Sequence, residues 1–258
     1  MQFQTLSYSE KDGILHVKLN RPEKRNAVNQ QVIKDITDCF TEVATRPSVQ
    51  AVLLSGEGKG FSAGTDLNSF QSGGMENLRK FVRVYQRAFN EVEHLEKVVI
   101  ALIHGFCFGA GCELALACDL RICSEEALFN IPEVDMGMVP DGGGSQRLPK
   151  VVGLGRAKEL ILTGKTINAG TANKWGLVNA IVKINELEST GVSWAKEVMA
   201  NGLLSVGLSK RNIDMSTSMS LNDGLECAGL VQSLAFSDPN FVKRVERRFL
   251  EKVKKQKS

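Results

Sequence analysis

The stretch from Lys97 to Ile122 reads KVVIALIHGFCFGAGCELALACDLRI. It opens with an apolar run typical of a buried strand, turns at glycines, and enters a short helix that is apolar on every face. That pattern predicts a buried strand, turn and helix. One carboxylate, Glu113, lies in the helix one turn from its start. Because an ionised carboxylate in a core is costly unless something pairs with it, the segment also predicts a site.

Strands and helices alternate on both sides of this segment. Strand patterns occur at 14–22, 49–58, 97–106 and 121–131, the last as two short strands. Helical spacing occurs at 28–46 and near 75–95, 154–163, 169–175, 186–200, 221–236 and 238–254. This order predicts an α/β domain with a largely parallel sheet, followed by a mostly helical region.

Composition narrows the function classes. The chain has 258 residues and a net charge of +3, which is too small to indicate a nucleic-acid partner. No window approaches the roughly 18 apolar residues of a membrane span. The six cysteines form no CxxC pair and the three histidines are scattered, so we expect a reducing, cytoplasmic setting and no metal site.

Three glycine-rich segments could work together: GKGFSAGTDL (58–67), HGFCFGAGCELA (104–115) and PEVDMGMVPDGGGSQRLP (132–149). Small residues at 109–111 let a ligand approach the backbone closely. The first N–H groups of the following helix have no partner inside it, so an oxyanion would be well served there. Glu113 would then face an acyl compound with a polarised carbonyl.

Two other interpretations stay open at this point. An acidic residue in a first helical turn is favourable by about 0.3–1 kcal/mol without any catalytic role. GFSAG also fits the G-x-S-x-G spacing of a serine hydrolase around Ser62, although only His94 and His104 follow it in the chain. The spacings of a dinucleotide-binding loop and of a P-loop are absent.

At these segments the chain resembles the enoyl-CoA hydratase/isomerase (crotonase) superfamily. The matching segments span nearly the whole sequence. They are LNRPEKRNAVN, VQAVLLSGEGKGFSAGTDL, IALIHGFCFGAGCELALACDLRI, FNIPEVDMGMVPDGGGSQRLPKVVG, AKELILTGKTINAGTANKWGLVN and FLEKVKK. The resemblance implies an α/β crotonase (ClpP/crotonase-like) fold, a spiral of ββα units. Residues 1–195 would form the core with the CoA and acyl site, and 196–258 a helical trimerisation region.

The resemblance also implies the ligand and the site. The substrate would be an acyl-CoA thioester, with no cofactor beyond its coenzyme A, and the protein a homotrimer or a hexamer made of two trimers, without nucleic-acid or membrane partners. The thioester oxygen would lie between the backbone N–H groups of Thr65 and Ala110, with Glu113 and Glu133 as the catalytic acids. Residues implied on the substrate and CoA side are Arg25, Ala27, Ala63, Gly64, Asp66, Leu67, Gly111 and Lys252.

A third acid, Asp141, distinguishes this chain from many hydratases, which resemble it but have glycine there. The dienoyl-CoA isomerase branch has an aspartate at this position and uses it to move protons, but tends to have aspartate in place of Glu113. Asp141 could equally be a turn residue in its glycine-rich loop. The resemblance therefore predicts a 2-enoyl-CoA hydratase, with a 3-enoyl- or dienoyl-CoA isomerase as the alternative and a non-catalytic acyl-CoA-binding protein as a second one.

Overall fold

A computed structural model describes residues 2–70 and 75–255, without the side chains of 69–70, 75–78, 248 and 250–255. Its internal contacts divide the chain into two units, Met1–Ala200 and Asn201–Ser258, called unit 1 and unit 2 below. Among the described helices, none is long and apolar enough to cross a bilayer.

Unit 1 is built on two sheets. The strands are β1 (Leu6–Lys11), β2 (Ile14–Leu19), β3 (Ala51–Gly56), β4 (Val98–Ile103), β5 (Phe106–Phe108), β6 (Leu120–Ser124), β7 (Leu128–Asn130), β8 (Ile167–Asn168) and β9 (Ala180–Val182). Six of them form one sheet in the order β1-β2-β3-β4-β6-β9, and β5-β7-β8 form the other. In the larger sheet only the β1–β2 hairpin is antiparallel, so the prediction of a largely parallel sheet is confirmed.

The helices of unit 1 flank these sheets. They are α1 (Gln30–Thr45), α2 (Met75–His94), α3 (Ala110–Ala117), α4 (Gly144–Val152), α5 (Leu154–Thr163), α6 (Ala169–Trp175) and α7 (Leu187–Ala200). Unit 2 consists of α8 (Leu203–Ser216), α9 (Leu221–Ala235) and α10 (Phe241–Lys255). Helix α1 begins where its periodicity predicts, because the Asn29 side chain accepts a hydrogen bond from Val32 N at 3.0 Å and caps the first turn.

Helix α3 is the buried helix that its composition predicts, since every one of its residues is buried. Its carboxyl end is held by the buried side chain of Arg121, which donates to the carbonyls of Leu177 (2.7 Å) and Cys118 (2.7 Å). A cation at the carboxyl end of a helix is favourable because the terminal carbonyls carry partial negative charge. This contact fixes α3 in the core and so fixes the position of its amino end, where Glu113 lies.

Candidate active site

Glu113 is almost completely buried, with 1% of its surface exposed, and accepts three hydrogen bonds. Oε1 accepts from the backbone N–H groups of Gly142 (2.9 Å) and Gly144 (2.8 Å), and Oε2 accepts from the hydroxyl of Tyr85 (2.8 Å). Burial raises the pKa of Glu113, and these donors act against that shift because they stabilise the charged form. The pairing that a buried carboxylate requires therefore comes from a glycine loop and from α2.

The glycine loop before α4 fits Glu113 closely. A β-carbon built on Gly142 would lie 2.6 Å from Glu113 Oε2 and 2.4 Å from the Tyr85 ring, so no larger residue fits there. Arg147 holds the loop from behind: it donates to the Gly142 carbonyl at 2.8 Å and forms an ion pair with Glu93 of α2 at 2.6 Å. The two amides that meet Glu113 are thus fixed by a buried arginine.

Glu133 has a different environment. It begins a 3-10 turn, Glu133–Met136, and is 8% exposed. Its Oε2 is buried and has no hydrogen-bond partner among the described residues. Burial and the nearby charge of Glu113 raise the pKa of Glu133 to about 7. A carboxyl group with this pKa can both give and accept a proton near neutral pH.

Gly109 makes room for the Glu133 carboxylate. Its φ of +48° lies in the region that favours glycine, and a β-carbon built on it would lie 2.8 Å from Glu133 Oε1. Glycine at position 109 therefore allows the positive-φ backbone conformation of the turn before α3 and leaves space for the Glu133 carboxylate.

A cavity of about 480 Å³ lies beside Gly109 and Glu133. Its walls are Ala63, Gly64, Thr65, Leu67, Gly109, Pro132, Glu133, Met136, Gly137, Met138, Val139 and Asp141. Glu133 and Asp141 are the two acids in this wall, and burial raises the pKa of Asp141 as well. The rest of the wall is mostly apolar, which suits a hydrocarbon chain that ends at a reactive polar group.

The structure brings the turns that carry Thr65 and Ala110 together. A β-carbon built on Gly64 would lie 3.6 Å from Ala110 N and 3.0 Å from the carbonyl oxygen of Phe108. Val28 and Thr65 pair in a parallel bridge. Its two hydrogen bonds are donated by the backbone N–H groups of Val28 and Asp66, so the N–H group of Thr65 takes no part in the bridge. Ala110 is the first residue of α3, and its N–H has no acceptor inside the helix.

Of the residues implied on the substrate and CoA side, Ala63, Gly64 and Leu67 line the cavity. Arg25, Ala27, Asp66 and Gly111 are not among the residues of its wall. Arg25 is exposed in a left-handed turn, and its carbonyl accepts from Ala63 N at 3.0 Å. The Ala27 carbonyl and the Asp66 carboxylate both accept from Arg21, at 2.6 and 3.2 Å. These contacts hold the segment between β2 and α1 against the segment that follows β3.

Gly111 and Lys252 complete the set. Gly111 packs on Ser62, since a β-carbon built on it would lie 2.6 Å from Ser62 Cβ. Lys252 belongs to α10, but its side chain lies outside the described residues.

The serine-hydrolase interpretation of GFSAG does not hold. Ser62 is fully buried, and its hydroxyl donates to the Asn26 carbonyl at 2.8 Å, so the side chain supports the loop. The ring of His104 lies instead against the Gly58 carbonyl at 2.9 Å. Within the described ranges, no group of three His, Cys, Asp or Glu side chains could hold a metal ion.

Sequence reasoning did not identify Tyr85, Asn26 or Arg147. Tyr85 stood out only as one of the apolar positions of α2, yet a tyrosine on a buried face usually needs a partner for its hydroxyl. The side chain of Asn26 donates to the carbonyls of Glu57 (2.8 Å) and Gly60 (3.0 Å) and so fixes the loop before Thr65. For Arg147, the feature of the sequence that could have identified it is a cation close to three consecutive glycines.

The α/β fold and the acids with raised pKa values form a candidate site for proton transfer, and comparison with known proteins identifies the family of the chain. Residues 9–257 match the family model described as enoyl-CoA hydratase/isomerase. The chain therefore belongs to the enoyl-CoA hydratase/isomerase family, and the crotonase fold that its motifs imply is confirmed.

Individual relatives and a solved structure agree. The chain is 39% identical to a short-chain-enoyl-CoA hydratase of Clostridium acetobutylicum, over 90% of this chain and 86% of that one. It is 36% identical to the mitochondrial Delta(3,5)-Delta(2,4)-dienoyl-CoA isomerase of Mus musculus, over 84% and 71%. It superposes on an enoyl-CoA hydratase from Bacillus anthracis with a TM-score of 0.92 and 31% identity, covering 96% and 97%.

Proposed function

We propose that this protein is a hydratase that adds water across the 2,3 double bond of a short-chain 2-enoyl-CoA thioester, as a step of fatty-acid metabolism. The observation that carries the proposal is the difference between the two glutamates. Glu113 accepts three hydrogen bonds, whereas Glu133 has a pKa of about 7 and a buried oxygen with no partner in the part of the chain that the structure describes. Hydration needs one ionised base and one protonated acid at the same time.

In the proposed reaction the thioester oxygen lies between the N–H groups of Thr65 and Ala110. Glu113 takes a proton from the water whose oxygen bonds to C3, and Glu133 gives its proton to C2. Negative charge gathers on the thioester oxygen between these events, where two fixed amides stabilise it. The close approach of the two turns supports this placement, as do the N–H groups of Thr65 and Ala110, for which no backbone acceptor is found within the described ranges.

The acyl chain would occupy the apolar part of the cavity. Met136, Met138 and Val139 line it on one side, and a volume of about 480 Å³ suits a short chain together with the thioester. Unit 2 would assemble subunits, as a homotrimer or a pair of trimers. In support of this, α9 exposes Leu221, Leu225, Leu230 and Leu234, each by more than half of its surface.

One observation favours a second candidate, a dienoyl- or 3-enoyl-CoA isomerase. Glu133 and Asp141 line the same cavity, whereas Glu113 does not. Two acids facing one bound chain can remove a proton from one carbon and return it to another without adding water. By the same observation, a protein that only binds acyl-CoA would have no need of a buried and a half-buried acid, both with raised pKa values, in the wall of the cavity.

Crotonyl-CoA and a 3-enoyl-CoA, followed by the absorbance of the conjugated thioester, test both candidates. We expect crotonyl-CoA to be hydrated, and Glu133→Gln to lower kcat by about 10²–10⁴-fold, the contribution typical of a general acid. Asp135→Asn is the matched control, because it removes an acid of the same turn that does not line the cavity. Untouched crotonyl-CoA together with conversion of the 3-enoyl-CoA would replace the hydratase by the isomerase.

Asp141→Asn separates the roles of the acids. A hydratase that uses Glu113 and Glu133 should keep most of its hydration activity in this variant, whereas an isomerase that uses Asp141 should lose its turnover. Binding of both compounds without turnover of either would leave only a binding protein.

A further inference from the structure

Tyr85 lies on the buried face of α2 with 2% of its surface exposed. Its ring packs against Phe89, with ring centroids 4.6 Å apart, and stacks with Phe81 at 6.2 Å. The only polar atom of this aromatic cluster that meets the site is the Tyr85 hydroxyl, which donates to Glu113 Oε2 at 2.8 Å. The cluster therefore holds the hydroxyl in one place.

The donors to Glu113 divide unequally between its two oxygens. Oε1 accepts from two backbone amides, which use both of its lone pairs. Among the described residues, no group besides Tyr85 donates to Oε2. One lone pair of Oε2 therefore remains, and Tyr85 determines how that oxygen is oriented.

We propose that Tyr85 is a positioning residue: its hydroxyl fixes Glu113 as an ionised carboxylate and leaves one lone pair of Oε2 to accept the proton of the attacking water. This inference rests on the hydration reaction proposed above. Tyr85 itself touches no reacting atom in this scheme, because its hydroxyl donates to Glu113 and its ring packs against Phe89. It acts through Glu113, and its loss should affect turnover rather than substrate binding.

The groups around Glu113 make its ionised form depend on the hydrogen bond from Tyr85. Tyr85 faces it from α2, Glu133 from the 3-10 turn and Asp141 from the loop before α4, while Arg147 reaches the far side of that loop. Burial and the nearby charge of Asp141 disfavour a charge on Glu113, so its ionised form depends on its donors. Burial and the charge of Glu113 raise the pKa of Tyr85 well above its usual value, so the hydroxyl keeps its proton over the working pH range.

Tyr85→Phe tests the inference because it keeps the ring and removes only the hydroxyl. We expect kcat for crotonyl-CoA to fall about 10- to 100-fold, as for the loss of one hydrogen bond to a charged group. KM should stay within about twofold, since uniform binding is unchanged. The acid limb of the pH profile of kcat/KM should move to higher pH, because Glu113 has lost a donor that favours its charged form.

Two variants serve as controls. Tyr8→Phe removes the other tyrosine hydroxyl of the chain, on a residue that is 38% exposed, and should leave kcat and the pH profile unchanged. Phe89→Leu loosens the packing around the Tyr85 ring without touching the hydroxyl. It should lower the melting temperature but leave the acid limb in place, which separates positioning from general stability.

A double-mutant cycle decides the outcome even if Tyr85→Phe alone folds poorly. In a Glu113→Gln background, Tyr85→Phe should cost no further turnover, because the charge that the hydroxyl serves is gone. An additional loss there, or a single Tyr85→Phe variant with wild-type kcat and acid limb, would overturn the role of Tyr85 while leaving the hydratase intact. Failure of the unaltered protein to hydrate crotonyl-CoA would instead remove the proposed function.

Discussion

Replacing Glu133 by glutamine should make the folded protein more stable at alkaline pH. In the folded chain, burial and the charge of Glu113 raise the pKa of Glu133 from its ordinary value of 4.5 to about 7. Above pH 7 the folded state must carry a charge that the unfolded chain accommodates more easily. At about 1.36 kcal/mol per pKa unit, the penalty is on the order of 3 kcal/mol.

The sign of the effect follows from proton binding. Below pH 4.5 both states hold the proton and Glu133 costs nothing. Between pH 4.5 and about 7 only the folded state holds it, so stability falls as pH rises and the full penalty is reached above about 7. Glutamine has no such proton, so the gain from Glu133→Gln should grow from near zero at pH 4.5 to its maximum near pH 8.

Urea unfolding at one fixed protein concentration measures this difference. The substitution also changes side-chain shape and hydrogen bonding, and these changes affect the free energy of unfolding equally at pH 4.5 and pH 8. They therefore cancel when the gain at one pH is subtracted from the gain at the other. Glu126→Gln, at an exposed turn position of unit 1, is the matched control and should show a difference that does not change with pH. If the gain at pH 8 is no larger than at pH 4.5, the buried and partnerless environment assigned to Glu133 is wrong.

Three further perturbations test other parts of the structure. Gly109→Ala should lower kcat at least about tenfold without changing the fold. The new methyl group would lie 2.8 Å from the Glu133 carboxylate, on a residue whose φ of +48° favours glycine. Steady-state kinetics measure the loss of turnover, and circular dichroism checks the fold. Arg147→Met should lower both stability and kcat, stability by about 1.5–3 kcal/mol, because it removes the hydrogen-bonded partner of the half-buried Glu93 and frees the Gly142 carbonyl. Urea unfolding and turnover measure the two effects. Burial lowers the pKa of His16 below its usual value of 6.5. As the pH falls below 6.5 the unfolded chain therefore binds a proton at this residue before the folded chain does, and the free energy of unfolding should decrease. A His16→Gln variant should lose less stability over the same pH range.

The sequence predicts the framework well because local patterns carry it. The buried run at 97–106 and the apolar helix after Gly109 appear as β4 and α3, and the periodicity at 28–46 appears as α1. Several short elements were not predicted, among them β5 and β9. Strands of three residues have too little pattern to detect, and both of these form by pairing with strands distant in sequence.

Helices α4 and α8 were missed for a different reason. Helix α4 begins at the third of three consecutive glycines and contains Pro149, both of which argue against a helix. It forms because Arg147 and Leu148 are buried within unit 1, so tertiary packing overrides local propensity. The arginine that makes this helix favourable is also the one that holds the loop against Glu113.

The site shows where sequence reasoning ends. A glutamate in an apolar helix predicts a partner, but not which one, because the partners lie about 30 residues away on each side: Tyr85 at a separation of 28 and Gly144 at 31. Only the fold shows that Glu113 has three donors and that, among the described residues, one oxygen of Glu133 has none. Two identical carboxyl groups acquire different proton affinities only from their surroundings, and this difference supports the proposal that Glu113 is the base and Glu133 the acid. The proposed reaction therefore depends as much on one tyrosine hydroxyl and two glycine amides as on the glutamates themselves.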